Sequence, residues 1–176
     1  YGIQFVVGVV LARMLSPEEY GLIGVITIFI TIFNGIVDSG FTSALIRKND
    51  ATEKDYNTAF ITNLSFSIIL FWALYSCAPY IADFFDNQQL VALTRVMGFS
   101  LVINALSMIQ TALLTKDIDF KTQTKCSVYS SLLSGIVGVT MAFCGLGVWA
   151  LVGQQLSKGS FNTVFLWLFR HWRPNF

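Results

Sequence analysis

Polar side chains recur every three or four residues along three otherwise apolar stretches of the sequence. They are Thr27, Thr31, Asn34 and Asp38 in the first stretch, Ser100, Asn104, Ser107 and Thr111 in the second, and Gln154, Lys158 and Asn162 in the third. Such spacings place the side chains on one face of a helix. Lipid cannot hydrogen-bond a polar face, so that face must turn to protein or water. Stripes on several helices predict a shared hydrated cavity, and packing between helices through Ser and Thr is the alternative.

Among the charged side chains that lie inside or at the edges of apolar stretches, those of Arg13, Asp38, Arg95 and Lys158 are candidates for a function. A charge near the middle of a bilayer costs about 2.5–3.5 kcal/mol on insertion scales, so each needs a role or a partner. We expect Lys158 to line a substrate path, and Asp38 either to bind a coupling ion or to cap its helix. Arg13 and Arg95 either contact a phosphate or acidic sugar through their guanidinium groups or reach lipid headgroups. The substrate-path candidates are Lys158, Arg13, Arg95, Asn34, Asn104 and Gln154.

Residues that could form a catalytic or metal site do not cluster in this sequence. His171 is the one histidine and lies in a basic stretch, and Cys77, Cys126 and Cys144 match no metal or redox spacing. There is also no Ser-His-Asp set, phosphate-binding loop or pair of carboxylates with a base. We therefore expect that the protein is not an enzyme and has no catalytic residue, no metal and no cofactor.

The bulk composition is that of a membrane protein. Hydrophobic residues make up 55% of the 176 residues and charged residues 12%, whereas soluble domains carry roughly 25% charged residues. The net charge of +1 comes without a basic tract or an RNA-binding motif, so no nucleic-acid partner is expected. Only helices and closed barrels span a bilayer, and these apolar runs are too long for barrel strands. The predicted fold class is all-α, a polytopic bundle of transmembrane helices.

Six apolar segments divide the sequence. They cover about 1–15, 17–44, 53–82, 88–115, 120–144 and 147–169. The first is too short to cross the roughly 30 Å hydrocarbon core at about 1.5 Å per residue. Because the chain opens inside this segment and stops just after a basic cluster, we expect it to be truncated at both ends. Residues 1–176 would then be one N-terminal transmembrane lobe of about six spans.

Residues that favour helix N-termini precede several of these segments. Ser16-Pro17-Glu18-Glu19 combines an N-cap serine with a proline at the first helical position and a glutamate three residues after the cap. Thr52 and Asp55 form a similar pair, and Asp86 or Asn87 could cap the fourth segment. In the fifth segment, Ser127, Ser131, Ser134 and Gly138 form a seam of small residues that favours close helix packing.

The basic residues are distributed unequally between the two sides of the predicted bundle. Eight follow the second, fourth and sixth segments, namely Arg47, Lys48, Lys54, Lys116, Lys121, Lys125, Arg170 and Arg173. Arg13 and Arg95 lie toward the opposite side. Since cytoplasmic loops carry an excess of Lys and Arg, the side with eight should be cytoplasmic, and so should the N-terminus.

Three motifs at the predicted turns and span ends resemble a known family. They are Ala12-Arg13-Met14-Leu15-Ser16-Pro17-Glu18-Glu19-Tyr20-Gly21, then Asp38-Ser39-Gly40-Phe41 with Ala44-Leu45-Ile46, and finally Gly145-Leu146-Gly147-Val148-Trp149-Ala150-Leu151-Val152. Their order and spacing, over almost the whole chain, resemble the bacterial polysaccharide transporter or oligosaccharide flippase family, especially its colanic acid exporters. That family belongs to the multidrug/oligosaccharidyl-lipid/polysaccharide exporter superfamily.

The resemblance implies one lobe of a two-lobed exporter in the bacterial inner membrane. It implies the flipping of undecaprenyl diphosphate carrying an oligosaccharide repeat unit, by alternating access coupled to a proton or sodium gradient. The product would serve lipopolysaccharide or exopolysaccharide synthesis. The expected partners are the lipid-linked oligosaccharide, membrane lipids and other polysaccharide-assembly proteins.

Several alternatives remain open from the sequence. Within the superfamily they are a flippase for the peptidoglycan lipid precursor and a multidrug exporter. Multidrug exporters use buried carboxylates, and Asp38 is the one acidic residue clearly inside a span here, which disfavours that alternative. A membrane-bound polysaccharide polymerase would be expected to carry large outer loops with catalytic groups, and the outer loops here are short. A scaffold that transports nothing would not need stripes of polar residues.

Overall fold

The computed structural model describes residues 2–38 and 52–169, which form six helices. The helices are α1 Gly2–Met14, α2 Pro17–Asp38, α3 Glu53–Phe84, α4 Gln89–Lys116, α5 Phe120–Phe143 and α6 Val148–Phe169. Their ends fall within two residues of the predicted segments, except that residues 39–44 of the second segment lie outside the described residues. The prediction of an all-α bundle is therefore confirmed.

Side-chain caps begin the helices where the sequence predicts them. The backbone N–H of Ser16 donates to Glu19 Oε2 at 2.7 Å, and the N–H of Glu19 donates to Ser16 Oγ at 3.3 Å. The Thr52 N–H donates to Asp55 Oδ2 at 2.9 Å, and Asn87 Oδ1 accepts a backbone hydrogen bond at 3.0 Å. Because the first two caps satisfy orphan N–H groups, they fix where α2 and α3 begin. The N-cap residue of α4 is Gln88, whose side chain makes no capping hydrogen bond, and Asn87 lies one residue before it.

Membrane-spanning length and apolarity are found in four of the described helices. These spans are Pro17–Val37, Lys54–Phe84, Gln89–Lys116 and Phe120–Phe143. The described part of α1 is shorter, and α6 has 22 residues, enough for about 30 Å, but includes a polar stripe. The chain is thus a multi-pass membrane protein.

The helices pack as interlocking pairs around a shared apolar core. α5 lies along α6 and α3 along α4, while α4 also contacts α2 and α6, and α1 packs on α5. Fully buried side chains at the centre include Leu11, Ile26, Leu74, Leu93 and Leu101. The turns at 15–16, 85–88 and 144–147 meet at one end of the bundle, because Glu19, Gln89 and Gly147 border one small cleft there. We call this end the three-turn end.

Small residues on α5 bring two neighbouring helices unusually close. A Cβ added at Gly138 would lie 2.9 Å from Gln154 Cβ on α6, and one at Gly135 would lie 2.8 Å from Val7 Cγ2 on α1. Ser134 is buried in the same seam. Glycine is therefore needed at these positions for α5 to hold α1 and α6 at their observed separations.

We predict that Gly138→Ala destabilises the full-length protein. The added methyl group must displace Gln154 near its backbone, and overpacking of this kind costs about 1–3 kcal/mol. Gly24→Ala is the matched control, since nothing lies within 4 Å of a Cβ there and alanine gains about 0.8–1.0 kcal/mol of helix propensity. Thermal unfolding in detergent should show a lower Tm for Gly138→Ala alone, and equal Tm values for the two variants would contradict the close contact.

Candidate functional site

A cavity of about 730 Å³ lies among α1, α2, α4, α5 and α6. Its polar lining consists of Gln4 from α1, Thr27, Thr31 and Asn34 from α2, Ser100, Asn104 and Thr111 from α4, Gln123, Thr124, Ser127 and Ser131 from α5, and Gln155, Lys158 and Asn162 from α6. Binding sites for small molecules occupy about 300–1,000 Å³, so the cavity has a suitable size for a polar ligand. Most of the residues that line it carry an amide or a hydroxyl group.

An amide pair joins the α2 and α4 walls of the cavity. Asn104 Nδ2 donates to Asn34 Oδ1 at 3.2 Å. Thr31 Oγ1 donates to the Thr27 carbonyl on its own helix at 2.7 Å, and Thr111 Oγ1 likewise donates to the Ser107 carbonyl at 3.0 Å. Since these hydroxyl protons are already used, the oxygens remain available as acceptors. The walls therefore offer both donors and acceptors to a hydroxyl-rich ligand.

Lys158 is the one charged side chain among the described residues that line the cavity. It is half-buried and makes no hydrogen bond or ion pair with another described residue. Its ammonium group has three donors. Asn162 lies one turn further along α6 and lines the same wall. The cavity can therefore offset a negative charge at the level of Lys158 and hydrogen-bond neutral groups around it.

Three of the sequence candidates lie away from this cavity. Gln154 packs against Gly138 on α5, while the adjacent Gln155 lines the cavity. Arg13 is exposed in the last turn of α1. The Arg95 guanidinium lies over the ring of Tyr75 on α3, with Cζ 4.3 Å from the ring centroid. The structure thus brings Asn34, Asn104 and Lys158 together and separates the other three from them.

Asp38 is the last residue of α2, and its side chain is outside the described part of the structure. The predicted ion-coupling role therefore stays a prediction. Five basic-stretch residues from the sequence analysis also lie outside the described residues, namely Arg47, Lys48, Arg170, His171 and Arg173.

Sequence reasoning missed four cavity residues: Gln4, Gln123, Thr124 and Gln155. A usable signal existed on α5, because Gln123, Ser127 and Ser131 are spaced four apart. From Ser127 onward, the same spacing predicts a packing seam. The structure divides that seam: Ser127 and Ser131 border the cavity, while Ser134 and Gly138 pack against neighbouring helices.

Comparison with known families gives a match over residues 10–176 to the model described as "Polysaccharide biosynthesis protein". No solved structure gives a significant match.

Curated relatives match most or all of the chain. The succinoglycan biosynthesis transport protein of Rhizobium meliloti is 25% identical over 176 residues, which is 100% of this chain and 36% of the relative. The teichuronic acid biosynthesis protein of Bacillus subtilis is 32% identical over 83% of this chain and 31% of its own length. A lipopolysaccharide biosynthesis protein of Escherichia coli is 22% identical over 93% of this chain and 34% of its own length. The chain spans about a third of the length of these relatives.

We predict that the cavity is filled with water in the membrane. In a cysteine-free background of the full-length protein, Thr31→Cys should react with a membrane-impermeant maleimide at least about tenfold faster than Ile32→Cys, because a thiolate forms in water and not in lipid. Both positions are exposed in the described chain, yet only Thr31 lines the cavity. Labelling rates in membrane vesicles of both orientations measure the difference, and equal rates would mean that the polar wall is not hydrated.

Proposed function

This chain belongs to the polysaccharide biosynthesis protein family, and we propose that it forms one lobe of a flippase for lipid-linked oligosaccharides. The full-length protein would move undecaprenyl-diphosphate-linked repeat units across the bacterial inner membrane for lipopolysaccharide or exopolysaccharide synthesis. One relative is itself named as a transport protein, and two others are named for the biosynthesis of teichuronic acid and of lipopolysaccharide. Transport, and not a chemical reaction, is the activity that we propose.

The observation that carries this proposal is the polar cavity around Lys158. Amides and hydroxyls are the groups that exchange hydrogen bonds with sugars, and a single ammonium group can offset part of the negative charge of a diphosphate. Beside the cavity wall, α2 exposes Ile28, Ile32 and Ile36. A ligand with a sugar, a phosphate and a hydrocarbon chain could thus place its headgroup in the cavity while its chain stays in lipid.

Alternating access requires a second lobe that can rock against this one. The relatives are about three times as long as the chain, which leaves room for such a lobe. In this proposal the open side of the cavity faces the second lobe. Asp38, at the end of the helix that bears Thr31 and Asn34, is the candidate for coupling to a proton or sodium gradient. Other polysaccharide-assembly proteins would receive the translocated unit.

We propose that the three-turn end faces away from the cytoplasm. Lys54, Lys116, Lys121 and Lys125 lie at the opposite end of their helices, close to the α4–α5 turn or the start of α3. This asymmetry favours a cytoplasmic location for that end and for the N-terminus.

Lys158→Gln should lower export of the surface polysaccharide by about tenfold or more, because a charge-assisted hydrogen bond contributes about 1.5–3 kcal/mol. Lys158→Arg, which keeps the charge, should retain part of the activity. Export would be measured as surface polysaccharide per cell in the host bacterium, together with the amount of full-length protein in the membrane.

The matched control for charge removal is Lys125→Gln, since Lys125 is exposed at the end of α5 and does not line the cavity. It should leave export within twofold of wild type. Normal export by Lys158→Gln at normal protein abundance would remove Lys158 from the substrate path.

Reporter fusions test the orientation. A fluorescent protein fused after Lys121 should fluoresce, and alkaline phosphatase fused there should be inactive, because this enzyme matures only outside the cytoplasm. Fusions after Leu146, at the three-turn end, should give the opposite pair of results. Active phosphatase after Lys121 would reverse the proposed topology.

A further inference from the structure

Arg95 lies on the side of α4 that faces α3, outside the polar cavity. Its guanidinium covers the Tyr75 ring at 4.3 Å, and Tyr75 adjoins Phe71 and Trp72 with ring centroids 6.0 and 5.7 Å away. Phe71 in turn packs on Phe99, 4.9 Å between centroids. We call Phe71, Trp72, Tyr75 and Phe99 the aromatic patch. Three of its members, Trp72, Tyr75 and Phe99, are exposed on the surface of the bundle.

The charge of Arg95 is not matched by a carboxylate in the described chain. Its Nε is buried without a hydrogen-bond partner, and its stacking on Tyr75 is the contact that the described residues supply. Stacking uses the face of the guanidinium and not its edge, where the N–H donors point, and the geometry of those donors suits a planar or tetrahedral anion. A cation on a membrane-facing surface needs such an anion, because lipid cannot solvate it.

The depth of Arg95 in the bundle fits a phosphate in the headgroup layer. Arg95 is six residues after Gln89, so it lies about 9 Å from the start of α4 at 1.5 Å per residue. The 28 residues of α4 extend about 42 Å, roughly 12 Å more than the hydrocarbon core. If that excess is shared between the two ends, Arg95 lies about 3 Å inside the hydrocarbon boundary, within the reach of its own side chain.

We propose that Arg95 and the aromatic patch bind the phosphate of a membrane lipid in the leaflet at the three-turn end. The guanidinium edge holds the phosphate ester through charge-assisted hydrogen bonds, and the hydrocarbon chain lies against Trp72 and Phe99. Either a bilayer phospholipid or a polyprenyl phosphate has this chemistry. The site is separate from the Lys158 cavity, and the proposal does not depend on the export function.

Lipid retention by the purified full-length protein tests this site. Native mass spectrometry would count molecules of phosphatidylglycerol that remain bound in detergent. Arg95→Gln should reduce the bound fraction about tenfold, the effect of one charge-assisted hydrogen bond. Lys125→Gln is the charge-removal control, because it removes one positive charge from an exposed position without a ring contact among the described residues. It should retain the lipid within twofold.

Two further variants keep the test valid if Arg95→Gln does not fold. Tyr75→Leu removes the stacking surface and should weaken retention by about twofold to fivefold, which corresponds to about 0.5–1 kcal/mol for a cation–π contact. Arg95→Lys keeps the charge without the planar fork and should retain an intermediate amount. Wild-type retention by all three variants would overturn the proposal.

Competing ligands identify the source of the phosphate. Polyprenyl phosphate that displaces phosphatidylglycerol from wild type but not from Arg95→Gln would assign the site to the carrier lipid, and failure to displace would assign it to bilayer phospholipid. Both results support a phosphate-lipid site. Displacement by inorganic phosphate at the same concentration would overturn it, because the aromatic patch would then contribute nothing. An equal loss of lipid in Lys125→Gln would also overturn it.

Discussion

A polar group inside a bilayer finds hydrogen bonds only with protein or trapped water, and this constraint arranges the whole bundle. It forces the backbone into helices, which satisfy their own N–H and C=O groups, and it turns polar side chains away from lipid. On α2 the result is two faces: Thr27, Thr31 and Asn34 border the cavity, while Ile28, Ile32 and Ile36 are exposed. The Asn34–Asn104 hydrogen bond then joins two such polar faces across the cavity. The cavity is thus a consequence of sorting side chains by polarity on several helices at once.

Close packing decides which polar residues reach the cavity. On α6, Gln154 and Gln155 are both compatible with a stripe that includes Lys158 and Asn162, since helical neighbours are three or four residues apart. This rotation of α6 requires a glycine at position 138 on α5, where the absence of a Cβ lets the Gln154 side chain approach. Gln155 consequently lies on the cavity wall. A glycine on α5 therefore permits the packing in which α6 places Gln155, and not Gln154, at the cavity wall.

The sequence predicts local features well and the relations between helices less well. Helix ends are encoded by nearby residues, such as the Ser16–Glu19 pair, and the structure confirms them. The polar face of α2 also follows from spacing alone, and on α4 the spacing finds Ser100, Asn104 and Thr111 but includes Ser107, which is not among the residues that line the cavity. The contacts of Arg95 could not be predicted from spacing. Its contact with Tyr75 joins α4 to α3, and the periodicity of α4 alone does not predict which residue of another helix lies beside it. Gln4 does not belong to a stripe of polar residues on α1, and its position in the cavity wall depends on how α1 packs on α5.

The chemistry of the cavity wall favours a ligand that is held and then released. Thr31 and Thr111 donate their hydroxyl protons to their own helices, and Asn104 donates to Asn34, so a ligand that bonds to these oxygens shares groups that already take part in hydrogen bonds. Net gains of this kind are about 0.5–1.5 kcal/mol each. Lys158 differs, because it has no such partner among the described residues. A transport site must bind firmly enough to select its cargo and weakly enough to let it leave. Many exchangeable contacts around one cation meet both conditions, since a small displacement from Lys158 removes the strongest contact while the others are replaced by water.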